Sequence, residues 1–305
     1  MSLQSFLFVA IDKLYNPFQN ERKMTKYKDV DFVVTKDIVY DASAPDAGKL
    51  DTYYVKKESG KYPVFFYIHG GGFVAGDKHY RRAHARWAAN MGFFVVNVNY
   101  GLCPEYKCPE PHRQLVRALN WVGENAEKYN LDLNRMMVSG DSAGGYYSAM
   151  LIGITLNKEL QAKLGVSTDL RFSGAVLNCG IYDVAVALRN KYPFDLGGKL
   201  LKDFAGIGKD GIDTYEWKEL LSALPFVTAE FPSCFVTSAD KDIFCGGQAQ
   251  ALFEKLDANG VYHEQYASKG LIDNHCFSLN WKSKAARENN NLTADFMKRF
   301  VAGKV

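Results

Sequence analysis

The run Arg135-Met136-Met137-Val138-Ser139-Gly140-Asp141-Ser142-Ala143-Gly144-Gly145 does most to limit what this chain can become. A strand-like stretch runs into G-x-S-x-G, and a helix-forming stretch, Tyr146-Tyr147-Ser148-Ala149-Met150, follows. Strand, sharp bend and helix in that order present a serine hydroxyl at a sheet edge, with glycines on either side allowing close backbone packing. Taken alone, the pentapeptide also describes a loop serine between two turn glycines, so its surroundings decide.

Those surroundings alternate. Strands are expected at Phe32-Tyr40, Leu50-Val55, Val64-Ile68, Phe93-Val98, Arg135-Val138, Phe172-Leu177, Cys234-Thr237 and Val261-Gln265. Val64-Ile68 and Phe93-Val98 are nearly unbroken apolar runs, as in central strands covered on both faces. Helices are expected at His79-Asn90, Glu110-Tyr129, Ser142-Leu156, Gly246-Asn259 and Ala286-Val301. The alternation predicts an α/β fold with an eight-stranded, mostly parallel sheet flanked by helices. With 305 residues, 47% of them hydrophobic, residues 1–305 are read as one large domain. Between Tyr182 and Phe231 no strand is evident, and the segment is long for a bare connection. It is read as a helical insertion, about 183–230, which joins helices in residues 1–28, broken near Asn16-Pro17, in one cap. Its Tyr182, Tyr192, Phe194, Phe204 and Trp217 are candidates both for lining a pocket and for packing the cap.

Composition excludes several classes. The net charge of +3 is spread over mixed acidic and basic residues, and the pairs Lys56-Lys57 and Arg81-Arg82 read as solvated surface, so no nucleic-acid partner is expected. The cysteines Cys103, Cys108, Cys179, Cys234, Cys245 and Cys276 form no C-x-x-C, so neither a structural metal site nor a cofactor is expected. Their apolar contexts suit buried free thiols in a reducing compartment. The apolar start, Phe6-Leu7-Phe8-Val9-Ala10-Ile11, ends at Asp12-Lys13, too short for an integral membrane segment. A cytoplasmic protein is expected. A homodimer, through an exposed apolar helix or edge strand, is left open.

A serine used as a nucleophile needs a base, an orienting acid and donors for the developing oxyanion. His69-Gly70-Gly71-Gly72-Phe73 directly follows the strand Val64-Ile68. Successive glycines cost backbone entropy, which close approach to a ligand explains. Gly71 and Gly72 are assigned as oxyanion donors with Ala143, and Gly70 supports the turn. The segment lacks the Lys-Ser/Thr ending of a phosphate loop and the G-x-G-x-x-G spacing. Of the histidines, His69 adjoins the glycine turn, His79, His84 and His112 lie in or beside helices, and His263 falls in the last strand. His275, in a loop after that strand, is the candidate base. Asp242 or Asp240, after the penultimate strand, supplies the acid. Asp242 is favoured because Ile243-Phe244 can anchor its loop, leaving Asp240 to cap the turn. Asp141 adjoins the serine on the bend and is suited to ordering it or pairing with another group.

Three motifs carry a wider likeness: His69-Gly70-Gly71-Gly72-Phe73, Asn99-Tyr100-Gly101-Leu102-Cys103-Pro104-Glu105 and Gly140-Asp141-Ser142-Ala143-Gly144-Gly145. In order and spacing the chain from about Asp31 onward resembles the hormone-sensitive-lipase-like group of α/β-hydrolase esterases. The resemblance implies an α/β-hydrolase fold with a helical cap, Ser142 as nucleophile, His275 as base and Gly71, Gly72 and Ala143 as oxyanion donors. The family's Asp-Pro-Leu-x-Asp is absent, so Asp240 and Asp242 both remain open. Its Tyr-Arg-Leu-Ala-Pro-Glu stands here as Tyr100-Gly101-Leu102-Cys103-Pro104-Glu105, without the arginine.

The expected function is hydrolysis of short- or medium-chain carboxylic esters through an acyl-enzyme, on a small-molecule substrate. The alternatives are an acetyl esterase on a sugar or other acyl conjugate, a peptidase or amidase, and a non-catalytic receptor on the same scaffold. Ester and amide substrates separate the enzymes, and labelling of Ser142 by a fluorophosphonate separates an enzyme from a receptor.

Overall fold

Runs of β-branched and aromatic residues become the strands of one sheet in the computed structural model, which describes residues 6–10, 13, 30–189 and 195–305. The strands are β1 (Phe32–Val39), β2 (Lys49–Val55), β3 (Tyr62–Ile68), β4 (Phe94–Val98), β5 (Leu131–Asp141), β6 (Gly174–Asn178), β7 (Ser233–Ala239) and β8 (His263–Ser268). Their order is β1-β2-β4-β3-β5-β6-β7-β8. β2 runs antiparallel to β1 and β4, and all the other pairs are parallel. All seven residues of β3 and all five of β4 are buried, as expected of unbroken apolar runs between two helical layers. β5 begins earlier than the sequence pattern indicates. Leu131 and Asp132 already pair with Tyr62 and Pro63 before a register shift admits the apolar Met136-Met137-Val138.

The helices are α1 (Arg82–Ala89), α2 (Glu110–Glu124), α3 (Ala126–Tyr129), α4 (Ala143–Leu156), α5 (Lys158–Leu164), α6 (Val184–Arg189), α7 (Leu196–Ala205), α8 (Gln248–Ala258) and α9 (Lys284–Val301). The expected Glu110-Tyr129 helix is two, divided at Asn125. Helix α5 was not expected. Asn157 starts it by accepting the Leu160 N–H at 2.9 Å, and Gly165 ends it in the left-handed conformation. Helix α4 is buried from Ala143 to Thr155 and packs against β5, β3 and β6.

Between β6 and β7 lie α6, α7 and short 3-10 turns, with one isolated bridge, Asp183 to Ser222. Residues 6–10 are helical, and Phe8 is buried beside Phe244, ring centroids 6.0 Å apart. The expected break at Asn16-Pro17 and the pocket candidates Tyr192 and Phe194 lie outside the described residues. All six cysteines are buried and free. Among the described residues no helix is long and apolar enough to cross a membrane.

Candidate active site

Four parallel strands deliver the candidate residues to one edge. β3 ends at Ile68 and passes into the glycine turn, β5 ends at Asp141 beside Ser142, β7 leads to Asp240 and Asp242, and β8 leads to His275. Carboxyl ends of parallel strands are where α/β sheets gather their sites.

Ser142 sits at φ 55° and ψ −120°, a conformation costly for any residue with a Cβ. Its N–H donates to the Asn178 carbonyl at 2.9 Å, and its carbonyl accepts from the Tyr146 N–H at 3.2 Å, which hold the bend. The flanking glycines permit contact that side chains forbid. A Cβ on Gly144 would stand 2.1 Å from the Ile68 carbonyl oxygen, and one on Gly70 2.5 Å from the Asp141 carboxylate. Gly71, at φ +133°, would drive a Cβ to 2.0 Å from the Ala75 oxygen. Gly71 therefore belongs to a turn wound tightly against its own return, and a Cβ on Gly72, at φ +61°, would stand 2.6 Å from the Phe8 ring. No acceptor among the described residues takes the N–H of Gly71, Gly72 or Ala143.

The structure brings Ser142, His275 and Asp242 into one chain of contacts. His275 Nε2 lies 2.8 Å from Ser142 Oγ. Its Nδ1 lies 2.8 Å from Asp242 Oδ2 and 3.0 Å from Oδ1. With the ring proton on Nδ1, Nε2 is left to accept from the serine hydroxyl. Asp242 Oδ1 also accepts the N–H of Phe244 at 2.9 Å and of Cys245 at 2.8 Å. Asp240 is exposed, and its N–H donates to the Ser268 carbonyl. It does not join these contacts. The expected anchoring of the Asp242 loop by Ile243 fails, since that side chain is exposed. Phe244 does the packing, edge-on to His275 at 5.3 Å.

Electrostatics separate the histidines. Burial pushes His84 down to about 4 and His112 to about 3. Burial opposes charge on His275 too, but Cys245 and Asp242 beside it raise it well above the ordinary 6.5. Burial pushes the Cys245 thiol up to about 11, which leaves the Asp242 carboxylate as the fixed negative charge on the ring. Burial likewise works against the Asp242 carboxylate, but His275 and the two main-chain N–H groups hold it below its usual range.

Arg81 corrects the sequence reading most. It is 3% exposed rather than solvated, and its guanidinium forks onto Asp141, Nε to Oδ1 and Nη2 to Oδ2, both at 2.8 Å. Tyr67 donates to the same carboxylate at 2.9 Å. Burial would raise Asp141, but the Arg81 charge and hydrogen bonds, with the Tyr67 hydroxyl, hold it down at about 2. The signal for a partner was present: a carboxylate ending a buried strand calls for a cation.

Ser142, His275 and Gly72 share a cavity with Phe8, Phe73, Ile181, Ala187, Leu188, Leu196, Leu200 and Phe244, enclosing about 20 Å³. Tyr182 and Phe204 are not in its wall. They are fully buried in the core, and Phe204 packs on Phe73 at 4.5 Å. Trp217 packs beside Arg113, 5.6 Å from its ring centre. The missing arginine of the second motif also has a cause here. A Cβ on Gly101 would stand 2.3 Å from the Tyr106 ring.

Esterase B from Lactobacillus rhamnosis superposes with a TM-score of 0.78 at 23% identity, covering 98% of both chains. A bacterial heroin esterase does so with a TM-score of 0.74 at 20% identity, over 96% of this chain and 90% of that one. At such identities the likeness is one of fold. In sequence, the chain is similar to a putative alpha/beta hydrolase of Acanthamoeba polyphaga mimivirus, 33% identical over 144 residues, 46% of this chain and 38% of that one. It is also similar to tuliposide A-converting enzyme 2 of Tulipa gesneriana, 36% identical over 136 residues, 39% and 35% of the two chains. The matched stretch thus spans little more than a third of these curated relatives. The BD-FAE family model matches residues 50–256, more than half of the chain. This chain therefore belongs to the BD-FAE family, and its fold is that of an α/β-hydrolase.

Proposed function

We propose that the chain is a serine carboxylesterase of the hormone-sensitive-lipase-like group, acting on small-molecule esters with short or medium acyl chains. The observation that carries this reading is His275, with Nε2 2.8 Å from Ser142 Oγ and Nδ1 2.8 Å from Asp242. His275 takes the Ser142 proton as Oγ attacks the acyl carbon. The N–H groups of Gly71, Gly72 and Ala143 receive the oxyanion. His275 passes the proton to the departing alcohol, then takes one from water as the water oxygen attacks the acyl carbon, and returns it to Ser142 Oγ as the C–Oγ bond breaks and the acid leaves. Asp242 fixes the ring and favours its charged form at each transfer. The His69-Gly70-Gly71-Gly72-Phe73 turn supports the subgroup. The six buried free thiols support a cytoplasmic location.

The cap reading rests on residues 6–10, α6 and α7, because Phe8, Leu188, Leu196 and Leu200 wall the Ser142 cavity. A space of about 20 Å³ holds little more than one water before the wall moves. Among p-nitrophenyl esters, kcat/KM is expected to peak between acetyl and butyryl. Leu200→Ala is expected to raise the hexanoyl-to-acetyl ratio roughly tenfold. A flat series, or an unchanged ratio in the variant, excludes the cap as the selector. Labelling by a fluorophosphonate tests the function itself: wild type is labelled on Ser142, and an unlabelled protein is a receptor rather than an esterase.

Replacing each aspartate separates their roles. Asp242→Asn is expected to lower kcat roughly 10⁴-fold, and Asp240→Asn to leave it within about twofold. The rate needs neutral His275, so it rises with pH through the raised His275 value. Losing the Asp242 charge moves that limb toward lower pH. Equal losses in the two variants, or an unmoved limb, would remove Asp242 from the role.

A further inference from the structure

The turn that carries Asp242 holds a donor that ester hydrolysis leaves unused. Cys245 Sγ, an Asp242 carboxylate oxygen and a His275 ring nitrogen all lie within 4.8 Å of one another. The Cys245 main-chain N–H already donates to Asp242 Oδ1, so thiol and carboxylate ride on one short turn. Sulfur, nitrogen and carboxylate oxygen are the donors zinc takes at roughly 2.0–2.3 Å, which puts ligand atoms of a tetrahedral site roughly 3.3–3.8 Å apart. His275 Nδ1 and Asp242 Oδ2 are closer than that already, at 2.8 Å. A separate cavity of about 350 Å³ reaches the same turn and is lined by Asp242, Cys245, Cys179, Asp240, Ser238 and Gln250 among others. At roughly 10–15 Å³ per water on this measure it has room for a hydrated ion.

We propose that Asp242, Cys245 and His275 form an inhibitory zinc site loaded from this second cavity, with water in the fourth position. Cys245 binds as thiolate, its proton leaving to solvent. Nδ1 binds through its lone pair, so the neutral ring carries its proton on Nε2 instead. Nε2 then donates where it previously accepted, and it no longer takes the Ser142 proton. Zinc thus silences the base without touching the serine. Sequence spacing hid the cluster, because His275 stands 33 residues from Asp242 on another loop.

The inhibitory half rests on the esterase reading, whereas the metal-binding half does not, and the experiment separates them. Metal-free, full-length protein is titrated calorimetrically with zinc alone, and spectroscopically with cobalt(II). Cys245→Ala, Cys245→Ser and His275→Ala are run in parallel, with folding checked by circular dichroism. Ester hydrolysis by the wild type and the Cys245 variants is referred to each protein's own zinc-free rate. One zinc per chain is expected, with a thiolate-to-cobalt charge-transfer band that both Cys245 variants lose. Loss of a direct ligand is expected to weaken zinc by at least the roughly 10–100-fold that an outer-shell partner is worth. The inhibitory zinc concentration rises by the same factor in the Cys245 variants. His275→Ala tests the site by calorimetry even where the Cys245 variants fail to fold. The site is overturned if wild type binds no zinc at millimolar concentration, if affinity is unchanged in the folded variants, or if the cobalt band survives loss of Cys245. Undiminished turnover by the zinc-loaded protein overturns the inhibition. Cys245-dependent zinc binding in a protein without ester turnover upholds the site and removes the esterase reading.

Discussion

Ser142→Ala is expected to lower kcat on a short p-nitrophenyl ester about a millionfold. The fold should survive, because among the described residues the only hydrogen bond lost from the side chain is the 2.8 Å contact with His275 Nε2. A bond of that kind at a cavity wall is worth about 1 kcal/mol. The strained φ of 55° is inherited unchanged, since alanine pays the same steric cost there. His275→Ala should cost nearly as much. The double variant should cost no more than either, because serine and imidazole act as one unit. Kinetics on protein shown to be folded by circular dichroism decide the matter. A Ser142→Ala rate within tenfold of wild type, or multiplicative losses in the double variant, would mean that the hydroxyl and the ring do not share one step.

The sheet was legible because its strands are written in the strongest local code. Val64-Ile68 and Phe93-Val98 need apolar cover on both faces, and only a two-sided α/β layer supplies it. Their observed counterparts, β3 and β4, are buried throughout. Edges were less legible. Leu131–Asp132 joins β5 through pairing with β3, a tertiary preference that a short window cannot contain. Helix α5 is brief and depends on the Asn157 cap, so its periodicity is weak.

The candidate site was legible as residue types and loop positions, and less so as partnerships. Ser142 and His275 were singled out because a strand-to-helix bend and the loop after the last strand fall at the same edge of a parallel sheet. Asp240 and Asp242 differ only in which way the loop turns, which is set by Asp242 accepting the N–H groups of Phe244 and Cys245. Of the two uses left open for the cap aromatics, packing holds for Tyr182 and Phe204. Large aromatic side chains such as Tyr182 and Phe204 bury most area and go to the core. From the cap segment it is the aliphatic Leu188, Leu196 and Leu200 that share the cavity with Ser142, beside Phe8, Phe73 and Phe244.

Arg81→Met is expected to destabilise the protein by about 3–5 kcal/mol at pH 7, because it strands the Asp141 carboxylate in the core without a counter-charge. Asp141→Asn should also destabilise, by removing the carboxylate charge that the guanidinium forks onto, whereas Arg81→Met with Asp141→Asn together should recover much of the Arg81→Met loss. The pH dependence gives the sign. Asp141 is held at about 2, below the ordinary 3.8, so its contribution is present above 3.8 and is lost as pH falls toward 2. Without Arg81, burial alone raises the carboxyl, which then protonates at higher pH than in the wild type. The stability gap is therefore widest at neutral pH and narrows as the solution is acidified through that range. Activity should fall with it, because the strained Ser142 bend adjoins the carboxylate that Arg81 and Tyr67 hold, and Gly70 leaves room for both Asp141 and Ser142. Denaturant melts of the three variants at neutral and acidic pH read both effects. A single-variant loss below about 1 kcal/mol, or a gap that widens in acid, would show that the serine bend stands without its buried ion pair.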